Sequence, residues 1–493
     1  GGDPDNFTYP RYALDVSFVR AYEAGGERPA RTGDHFFGWD SDGAAEDELI
    51  FITGNPGTTS RIITVAQLLY EQEYRHPFLI QLLEGQRALL RDVAAAGPES
   101  EQEVRQDLFE VENSLKAYRG QYAGLLDTLL VGRKIRWERE LREKVASVPT
   151  LEAEYGDVWD RLADVQRRKM ALSPRLNIAN LQLVGAPHLS YAGRLSNYVT
   201  EMAKPLDARA ESMRGEAVRR TEAVLLTPTA VDSTIASRLL KLQLEIARRW
   251  LAPGDPLLRA VFEDPKETPE QAAVRLTNES RVLDVDFRDR IIRGGADSLA
   301  ASDDPLLRFA RVAAPLYAQL TEQWAKLVAE ENIQAERLAA ALLAAAGERF
   351  PPDATFTLRI ADGVVQRYPS NGTVAPPVTS YYGMFGRAAD FDNEMPWTLP
   401  ETFEERRDRI DLATPLNFVS TNDLTGGNSG SPMIDRQARI VGVAFDSNLD
   451  LLPGTFVFDT TTGRAISVHA RGIIEALRDV YGARALVREL TGR

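Results

Sequence analysis

The feature that most constrains the fold is a change of hydrophobic period along the chain. In residues 104–122 the apolar side chains recur every three or four positions, and the same spacing returns in residues 315–343. This spacing gives a helix one buried stripe and one solvated face. On either side of this central part, short apolar runs alternate with turn residues, which is typical of strands. The sequence therefore predicts an α+β fold in which a large helical part is inserted into a β-rich domain.

The predicted domain boundaries follow this change of pattern. We expect residues 1–65 to be part of the β-rich domain, residues 66–346 to form the inserted helical domain, and residues 347–493 to complete the β-rich domain and end in a closing helix. The strand-like runs are residues 12–19, 49–53, 356–360, 440–445 and 455–458.

Composition and charge argue against several classes of partner. The net charge of −14 disfavours nucleic acid and anionic membranes, because both select a basic surface. No uninterrupted apolar run reaches the ~18 residues that predict a membrane span. The chain has 0 cysteines, which rules out disulfides and thiolate sites and fits an oxidising compartment. The HExxH, CxxC and P-loop motifs are absent, so we expect no metal and no cofactor.

One turn near the C-terminus presents a single hydroxyl among small residues. A serine nucleophile needs a bend that exposes its Oγ and points N–H groups at the developing oxyanion. In the GNSGSP turn of residues 427–432, Gly427 permits that bend, so the N–H groups of Gly427 and Ser429 are candidates for the oxyanion hole. The alternative is a glycine-rich turn between two strands. The nucleophile elbow of α/β-hydrolases fits poorly, since Ser431 and Pro432 follow the serine.

Five motifs occur in one order along the chain, and together they carry a family resemblance. They are GGDPDNFTYPRYALDVSF, GNPGTTSRIITVAQL, FTLRIADGVVQRYP, TNDLTGGNSGSPMID and GVAFDSN. The set resembles the bacterial dipeptidyl-peptidase 7 and dipeptidyl-peptidase 11 family of serine exopeptidases. The resemblance implies a chymotrypsin-like double β-barrel, incomplete in this chain, with an inserted helical domain. It implies an enzyme that releases dipeptides from the free N-terminus of oligopeptides through an acyl-enzyme.

The resemblance also implies a catalytic triad. Ser429 would be the nucleophile, and Asp15 would be the buried carboxylate that orients a histidine. From the residues alone, Asp15 lies in an apolar run, where a structural hydrogen bond or an outward face would also satisfy it. The family's histidine precedes this motif, so we expect the chain to be a fragment that lacks it and is inactive alone. A mutually exclusive option makes His35 the base. Otherwise we expect surface or structural roles for His35, His76, His188 and His469.

A second set of residues would bind the substrate. The resemblance assigns Asn6, Phe7 and Asp446 to the free amino group, and a carboxylate with a carbonyl oxygen suits an ammonium with its three donors. Asn113 would be a further residue at that end of the cleft. Phe7 replaces a tryptophan of the family, which keeps an aromatic wall but loses an N–H donor. Ser447 stands where the acidic-preferring branch has arginine, so we expect an apolar or small second residue.

Two other functions remain open at this level. One is a chymotrypsin-like endopeptidase whose helical domain recruits protein substrates. The other is a non-catalytic peptide-binding protein on the same scaffold. The resemblance further implies oligopeptide substrates, a homodimer and a periplasmic or secreted location.

Overall fold

In this computed structural model the chain forms two compact units. Strands from both ends of the chain combine in one sheet of the first unit. The described residues of the chain are 5–26, 28–33, 35–228, 230–347 and 351–492. Unit 1 comprises residues 1–68, 116–140 and 346–493, and unit 2 comprises residues 69–115 and 141–345. The α+β fold class with a helical insertion is confirmed. The predicted helical domain, residues 66–346, differs from unit 2 chiefly in residues 116–140, which are helical but belong to unit 1.

The strands of unit 1 are short, and most of them belong to a single sheet. They are β1 (Gly38–Trp39), β2 (Leu49–Gly54), β3 (Arg359–Val364), β4 (Tyr368–Ser370), β5 (Thr373–Ala375), β6 (Val378–Ser380), β7 (Pro415–Ser420), β8 (Pro432–Ile434), β9 (Arg439–Ser447) and β10 (Ala465–His469). Among the described residues the sheet runs β3-β2-β8-β9-β10-β7-β6, with β1 parallel to β9, while β4 and β5 form a separate pair. Because β2 lies between β3 and β8, this sheet needs the first part of the chain.

The sheet closes into a barrel where the ends of β3 and β7 meet. The Thr421 N–H donates to the Val364 carbonyl at 3.0 Å, and the Gln366 N–H donates to the Val419 carbonyl at 3.3 Å. Closure removes the free edges that an open sheet would expose. The barrel interior is filled by buried apolar side chains contributed by most of its strands, including Ile50, Ile52, Phe418, Met433, Val441 and Ala444.

Unit 1 also contains short helices that follow the strands. The helices after β6 are α14 (Tyr381–Asp390), α15 (Glu401–Glu405), α16 (Ala470–Glu475) and α17 (Arg484–Thr491). The closing helix that we predicted as continuous is interrupted after a π-helical turn, Ala476–Val480, and Gly482 adopts a left-handed φ of 65° at the break. Three helices have several residues in one unit and the rest in the other, α1 (Val65–Tyr70), α3 (Pro98–Leu126) and α4 (Thr128–Ala146), and the long helix of residues 305–346 has only its last residue in unit 1.

Unit 2 is built from helices around one apolar core. These are α2 (His76–Ala94), α5 (Pro149–Tyr155), α6 (Val158–Ala179), α7 (Pro187–Met202), α8 (Gly215–Leu226), α9 (Ser233–Trp250), α10 (Pro256–Val261), α11 (Pro269–Glu279), α12 (Val285–Ala301) and α13 (Pro305–Ala346). Helix α9 shows why they form. Asp232 caps its first N–H groups, and Leu240, Leu244 and Ala247 form its buried stripe. In the described part of the chain no helix is both long and apolar enough to cross a bilayer.

Two strand predictions are wrong. Residues 12–19 are irregular, and from Ser17 onward they are exposed. Ala13 pairs with the side chain of Asn417 on β7 through both its N–H and its carbonyl. Residues 455–458 begin at the last residue of a 3₁₀ segment, Leu449–Thr455, and form no strand. Alternating apolar residues alone do not supply the neighbouring strand that a ladder needs.

His469 shows how the barrel holds an imidazole in its neutral form. The ring is 1% exposed. Its Nδ1 accepts from the Arg471 N–H at 3.2 Å, which leaves Nε2 to donate to the Ala44 carbonyl at 3.0 Å. Burial lowers the pKa of His469 to about 4. The prediction of a structural histidine holds here, because both ring nitrogens have backbone partners.

Stability should therefore depend on His469 in acid. The unfolded chain takes up a proton near pH 6.5, whereas the folded chain resists it down to about pH 4. The contribution is complete above pH 6.5 and is lost as the pH falls toward 4, by at most about 1.4 kcal/mol per pH unit. Urea denaturation of the wild type and of His469→Gln should show a stability difference that shrinks over this range. Exposed His35→Gln is the matched control, and an equal change in both variants would contradict the assignment.

Candidate active site

The residues between β7 and β8, here called the Ser429 loop (residues 421–431), bend sharply at two glycines. Gly427 has a φ of 104° and Gly430 a φ of 87°, a region that favours glycine. A Cβ on Gly427 would lie 2.6 Å from the Asn55 carbonyl oxygen. Glycine is therefore required at 427 by both the backbone conformation and the space available.

At the serine turn of the Ser429 loop, residues 427–431, two N–H groups are available. The N–H groups of Asn428, Gly430 and Ser431 donate to carbonyls. Within the described part of the chain, no hydrogen bond uses the N–H groups of Gly427 and Ser429. These are the two donors that the sequence proposed for an oxyanion hole, and an arrangement of free backbone donors can stabilise developing negative charge.

Strand β9 binds the Ser429 loop just before Asp446. The exposed Ser429 Oγ donates to the carbonyl of Phe445 at 3.4 Å. The Gly430 N–H donates to the Ala444 carbonyl at 2.8 Å, and the Ala444 N–H donates to the Ser431 carbonyl at 2.9 Å. The loop thus runs along the end of β9.

Asp446 is a nearly buried carboxylate with three donors around it. Its Oδ2 accepts from the Phe7 N–H at 3.1 Å and from Arg11 Nη1 at 3.2 Å. Its Oδ1 accepts from the Ser447 N–H at 2.7 Å. Burial raises the pKa of Asp446 above its usual value, and these donors together with the charge of Lys116 oppose that rise. The structure thereby brings the backbone of Phe7 and Ser447 to the Asp446 carboxylate.

Sequence reasoning missed Arg11. This side chain is 2% exposed, and its guanidinium lies 5.5 Å from the centre of the Phe445 ring. Burial lowers the pKa of Arg11, while the nearby charges of Asp446 and Asp15 raise it. An arginine inside an apolar run could have indicated a buried ion pair, since a buried cation needs a carboxylate partner.

A cavity is lined in part by Asn6 and Thr8, the residues on either side of Phe7. It has a volume of about 630 Å³, and residues on its wall include Asn6, Thr8, Lys116, Asp450 and Asp459. The wall carries both acidic and basic groups. Asn6 therefore lines a cavity large enough for a side chain, and the next residue, Phe7, binds Asp446.

Asp15 differs from the sequence expectation. It is exposed, whereas we expected a buried carboxylate, because residues 12–19 run over the barrel as an irregular segment and not as an inner strand. Its charge acts on Arg11, which ties it electrostatically to the same region. The first four residues of this motif, residues 1–4, lie outside the described residues.

The remaining predicted site residues have different positions. Ser447 is buried and pairs across the ladder with Ala465 on β10. Asn113 is an exposed residue of α3 and belongs to unit 2. No group of three or more His, Cys, Asp or Glu residues in the described part of the chain is placed to hold a metal ion.

The histidines occupy three environments. His469 has both ring nitrogens bound to backbone groups. His76 and His188 are buried residues of unit 2, and burial lowers the pKa of His188. His35 is exposed in an irregular stretch of unit 1.

Comparisons with known proteins agree on one family. The sequence profile of the family described as Peptidase S46 matches residues 1–492. An Asp/Glu-specific dipeptidyl-peptidase of Shewanella putrefaciens is 24% identical and aligns with 99% of this chain and 72% of its own length. The dipeptidyl-peptidase 7 of Capnocytophaga gingivalis is 23% identical, with 100% and 70% covered.

The fold has a counterpart among solved structures. DPP11 of Porphyromonas endodontalis in complex with the dipeptide Arg-Glu superposes with a TM-score of 0.76 at 19% identity. The match covers 99% of this chain and 71% of that one. At this identity the likeness establishes the shared fold.

The ion pair between Arg11 and Asp446 should matter for stability. Arg11→Met leaves a buried carboxylate without its cation, and we expect a loss of about 3 kcal/mol in the free energy of unfolding. The double variant with Asp446→Asn should lose less, because no buried charge remains. Urea denaturation measures both.

A matched control comes from the exposed pair of Arg20 and Glu489, which lie 2.6 Å apart. Arg20→Met should cost far less than Arg11→Met, because solvent screens an exposed ion pair. If the Arg11 variant were as stable as this control, the buried pair would not have the importance assigned to it.

Proposed function

Because this chain belongs to the Peptidase S46 family and is a serine peptidase, we propose that it releases dipeptides from the free N-terminus of oligopeptides. One observation carries the proposal. The Ser429 hydroxyl donates to the carbonyl of Phe445, the residue directly before the nearly buried Asp446. The nucleophile is therefore held by one residue of β9 and the acidic group belongs to the next, an arrangement that suits a cut at a constant distance from an amino terminus.

The proposed chemistry begins at Ser429. Its oxygen attacks the carbonyl carbon of the second residue, and the N–H groups of Gly427 and Ser429 stabilise the oxyanion. Collapse expels the shortened peptide as an amine and leaves the dipeptide as an ester on Ser429. Water then attacks this ester and releases the dipeptide. Asp15 is proposed as the carboxylate that orients the base.

The base is proposed to be a histidine that accepts the Ser429 proton and then donates it to the nitrogen of the leaving amine. His469 is unsuitable, because both its ring nitrogens are held by backbone groups. We propose that the imidazole comes from protein sequence outside residues 1–493. His35 is the alternative within unit 1, and loss of turnover in a His35→Ala variant of the full-length protein would favour it.

The proposed clamp for the substrate's amino group is Asp446 with Asn6 and Phe7. Oδ1 of Asp446 accepts one hydrogen bond, from the Ser447 N–H, and a carboxylate oxygen has two lone pairs. An ammonium N–H of the substrate can donate to the second lone pair. Since Arg11 already balances the charge of Asp446, the clamp would act mainly through directed hydrogen bonds. Asn113 is proposed as a further contact of the substrate's amino end. The cavity lined by Asn6 is proposed to hold the side chain of the substrate's first residue.

Relatives support a peptide substrate but differ in selectivity. One carries the name dipeptidyl-peptidase 7 and another is Asp/Glu-specific, and DPP11 has been solved with the dipeptide Arg-Glu. Here position 447 is serine, and no cation is provided there for an acidic side chain. We therefore propose an apolar or small second residue. A homodimer and a periplasmic or secreted location complete the proposal and rest on the resemblance alone.

Blocking the amino group should abolish most activity. With full-length protein, an N-acetylated dipeptidyl fluorogenic substrate should have a kcat/KM at least ~100-fold below that of the free amine, since about 3 kcal/mol of charge-assisted binding is lost. Asp446→Asn should reduce turnover of the free-amine substrate and leave turnover of the acetylated substrate unchanged. Ser429→Ala should abolish turnover of both substrates. Equal turnover of free and blocked substrates would favour the endopeptidase, and peptide binding without any hydrolysis would favour the binding protein.

Second-residue selectivity is tested with a substrate panel. Substrates with Ala, Leu or Met at the second position should exceed those with Asp or Glu by roughly 10-fold or more in kcat/KM, because an unpaired carboxylate loses its solvation on binding. The first residue is kept constant as the control. A preference for Asp or Glu would show that a cation other than one at 447 serves this position.

A further inference from the structure

The segment Gly54–Arg61, which carries the sequence GNPGTTSR, packs directly against the Ser429 loop. The Gly57 N–H donates to the Gly426 carbonyl at 2.6 Å. A Cβ on Gly57 would lie 2.4 Å from that oxygen, and one on Gly54 would lie 2.0 Å from the Ser431 hydroxyl oxygen. The two segments therefore touch through backbone atoms, so a displacement of one is passed to the other.

Arg61 ends this segment and binds the beginning of the Ser429 loop. Its Nη2 donates to Asp423 Oδ1 at 2.8 Å, and its Nη1 donates to Asp423 Oδ2 at 2.5 Å. Its Nε donates to the Gly454 carbonyl at 2.7 Å, and its guanidinium lies 5.2 Å from the centre of the Phe458 ring. This two-bond geometry is specific to arginine, because lysine has no planar fork.

The backbone of Arg61 is itself fixed on both sides. Its N–H donates to Asp353 Oδ1 at 2.7 Å. Its carbonyl accepts from the ammonium of Lys134, which is 4% exposed. The guanidinium thus projects from an anchored position.

We propose that Arg61 is a positioning residue for the reaction at Ser429, acting through Asp423. Asp423 precedes Gly427 by four residues and Ser429 by six. Its bond to Arg61 fixes the incoming arm of the loop, while the contact of Gly57 with Gly426 fixes the arm just before the oxyanion donors. Arg61 touches neither donor, so its effect reaches them through the loop backbone. This inference rests on the proposed function, because it concerns the same nucleophile.

The expected effect is a loss of rate with little loss of substrate binding. Donors and nucleophile must hold a near-attack geometry, and a misplacement of about 1 Å costs on the order of 100-fold in rate. The amino-group clamp at Asp446 does not depend on the Arg61 contact. Arg61→Lys and the near-isosteric Asp423→Asn should each lower kcat by roughly 10- to 100-fold and change KM by less than about threefold. The double variant should lose no more than the stronger single variant, since both remove one interaction.

The full-length protein is tested with a free-amine dipeptidyl substrate and with a fluorophosphonate that labels Ser429. The matched control is Arg367 with Glu46, a second two-bond pair in unit 1 with oxygen–nitrogen distances of 2.5 and 2.7 Å. Arg367→Lys and Glu46→Gln should keep wild-type kcat. Thermal unfolding midpoints should be similar for all four single variants, which separates positioning from folding.

Three results would overturn the proposal. They are wild-type kcat in both Arg61→Lys and Asp423→Asn, an equal loss of kcat in the control variants, or a change in KM alone. If the wild type hydrolyses no peptide, the proposed function fails instead. Hydrogen exchange of the amides in residues 424–431 then decides whether Arg61 positions the Ser429 loop. Faster exchange confined to these amides in Arg61→Lys supports a positioning role, and unchanged exchange contradicts it.

Discussion

The pairing of β8 with β9 is the interaction on which the site depends. Met433 lies opposite Gly442, and the ladder continues into the Ser429 loop through the bonds of Ala444 with Gly430 and Ser431. This register sets Ser429 against Phe445 and leaves Asp446 beside Phe7. Because side chains alternate along a strand, a shift of one residue would turn Asp446 to the other face. The closed barrel prevents that shift, since β9 is also paired with β10 along its other edge.

Local signals were enough to predict several elements. Helical periodicity identified the insertion, because one apolar stripe per helix is visible within a few turns of sequence. The turn at residues 427–432 could be recognised because its glycines satisfy backbone geometries that other residues avoid. Strand β9 followed from an apolar run between turn residues. The role of Asp446 was inferred from resemblance, and the structure adds the burial and the hydrogen bonds that make it physically reasonable.

The features that were missed depend on contacts between distant parts of the chain. Arg11 reads as a polar residue in an apolar run until Asp446, 435 residues away, is seen to pair with it. Residues 12–19 lack a ladder partner and use the side chain of Asn417 instead. Residues 116–140 keep the helical period of the insertion, so sequence alone gave no reason to assign them to unit 1. The bond from Arg61 to Asp423 likewise joins two motifs that the sequence presents separately.

In the proposed reaction, Asp446 and Ser429 act on one peptide. The most direct test is a crystal structure of the full-length Ser429→Ala variant with a bound tripeptide that has a free amino group. We expect the ammonium nitrogen of the peptide to lie about 3 Å from Asp446 Oδ1. We expect the carbonyl carbon of its second residue to lie about 3–3.5 Å from the position of the Ser429 oxygen in the wild type. A peptide whose ammonium lies away from Asp446, or whose second carbonyl lies away from residue 429, would contradict the proposed reaction.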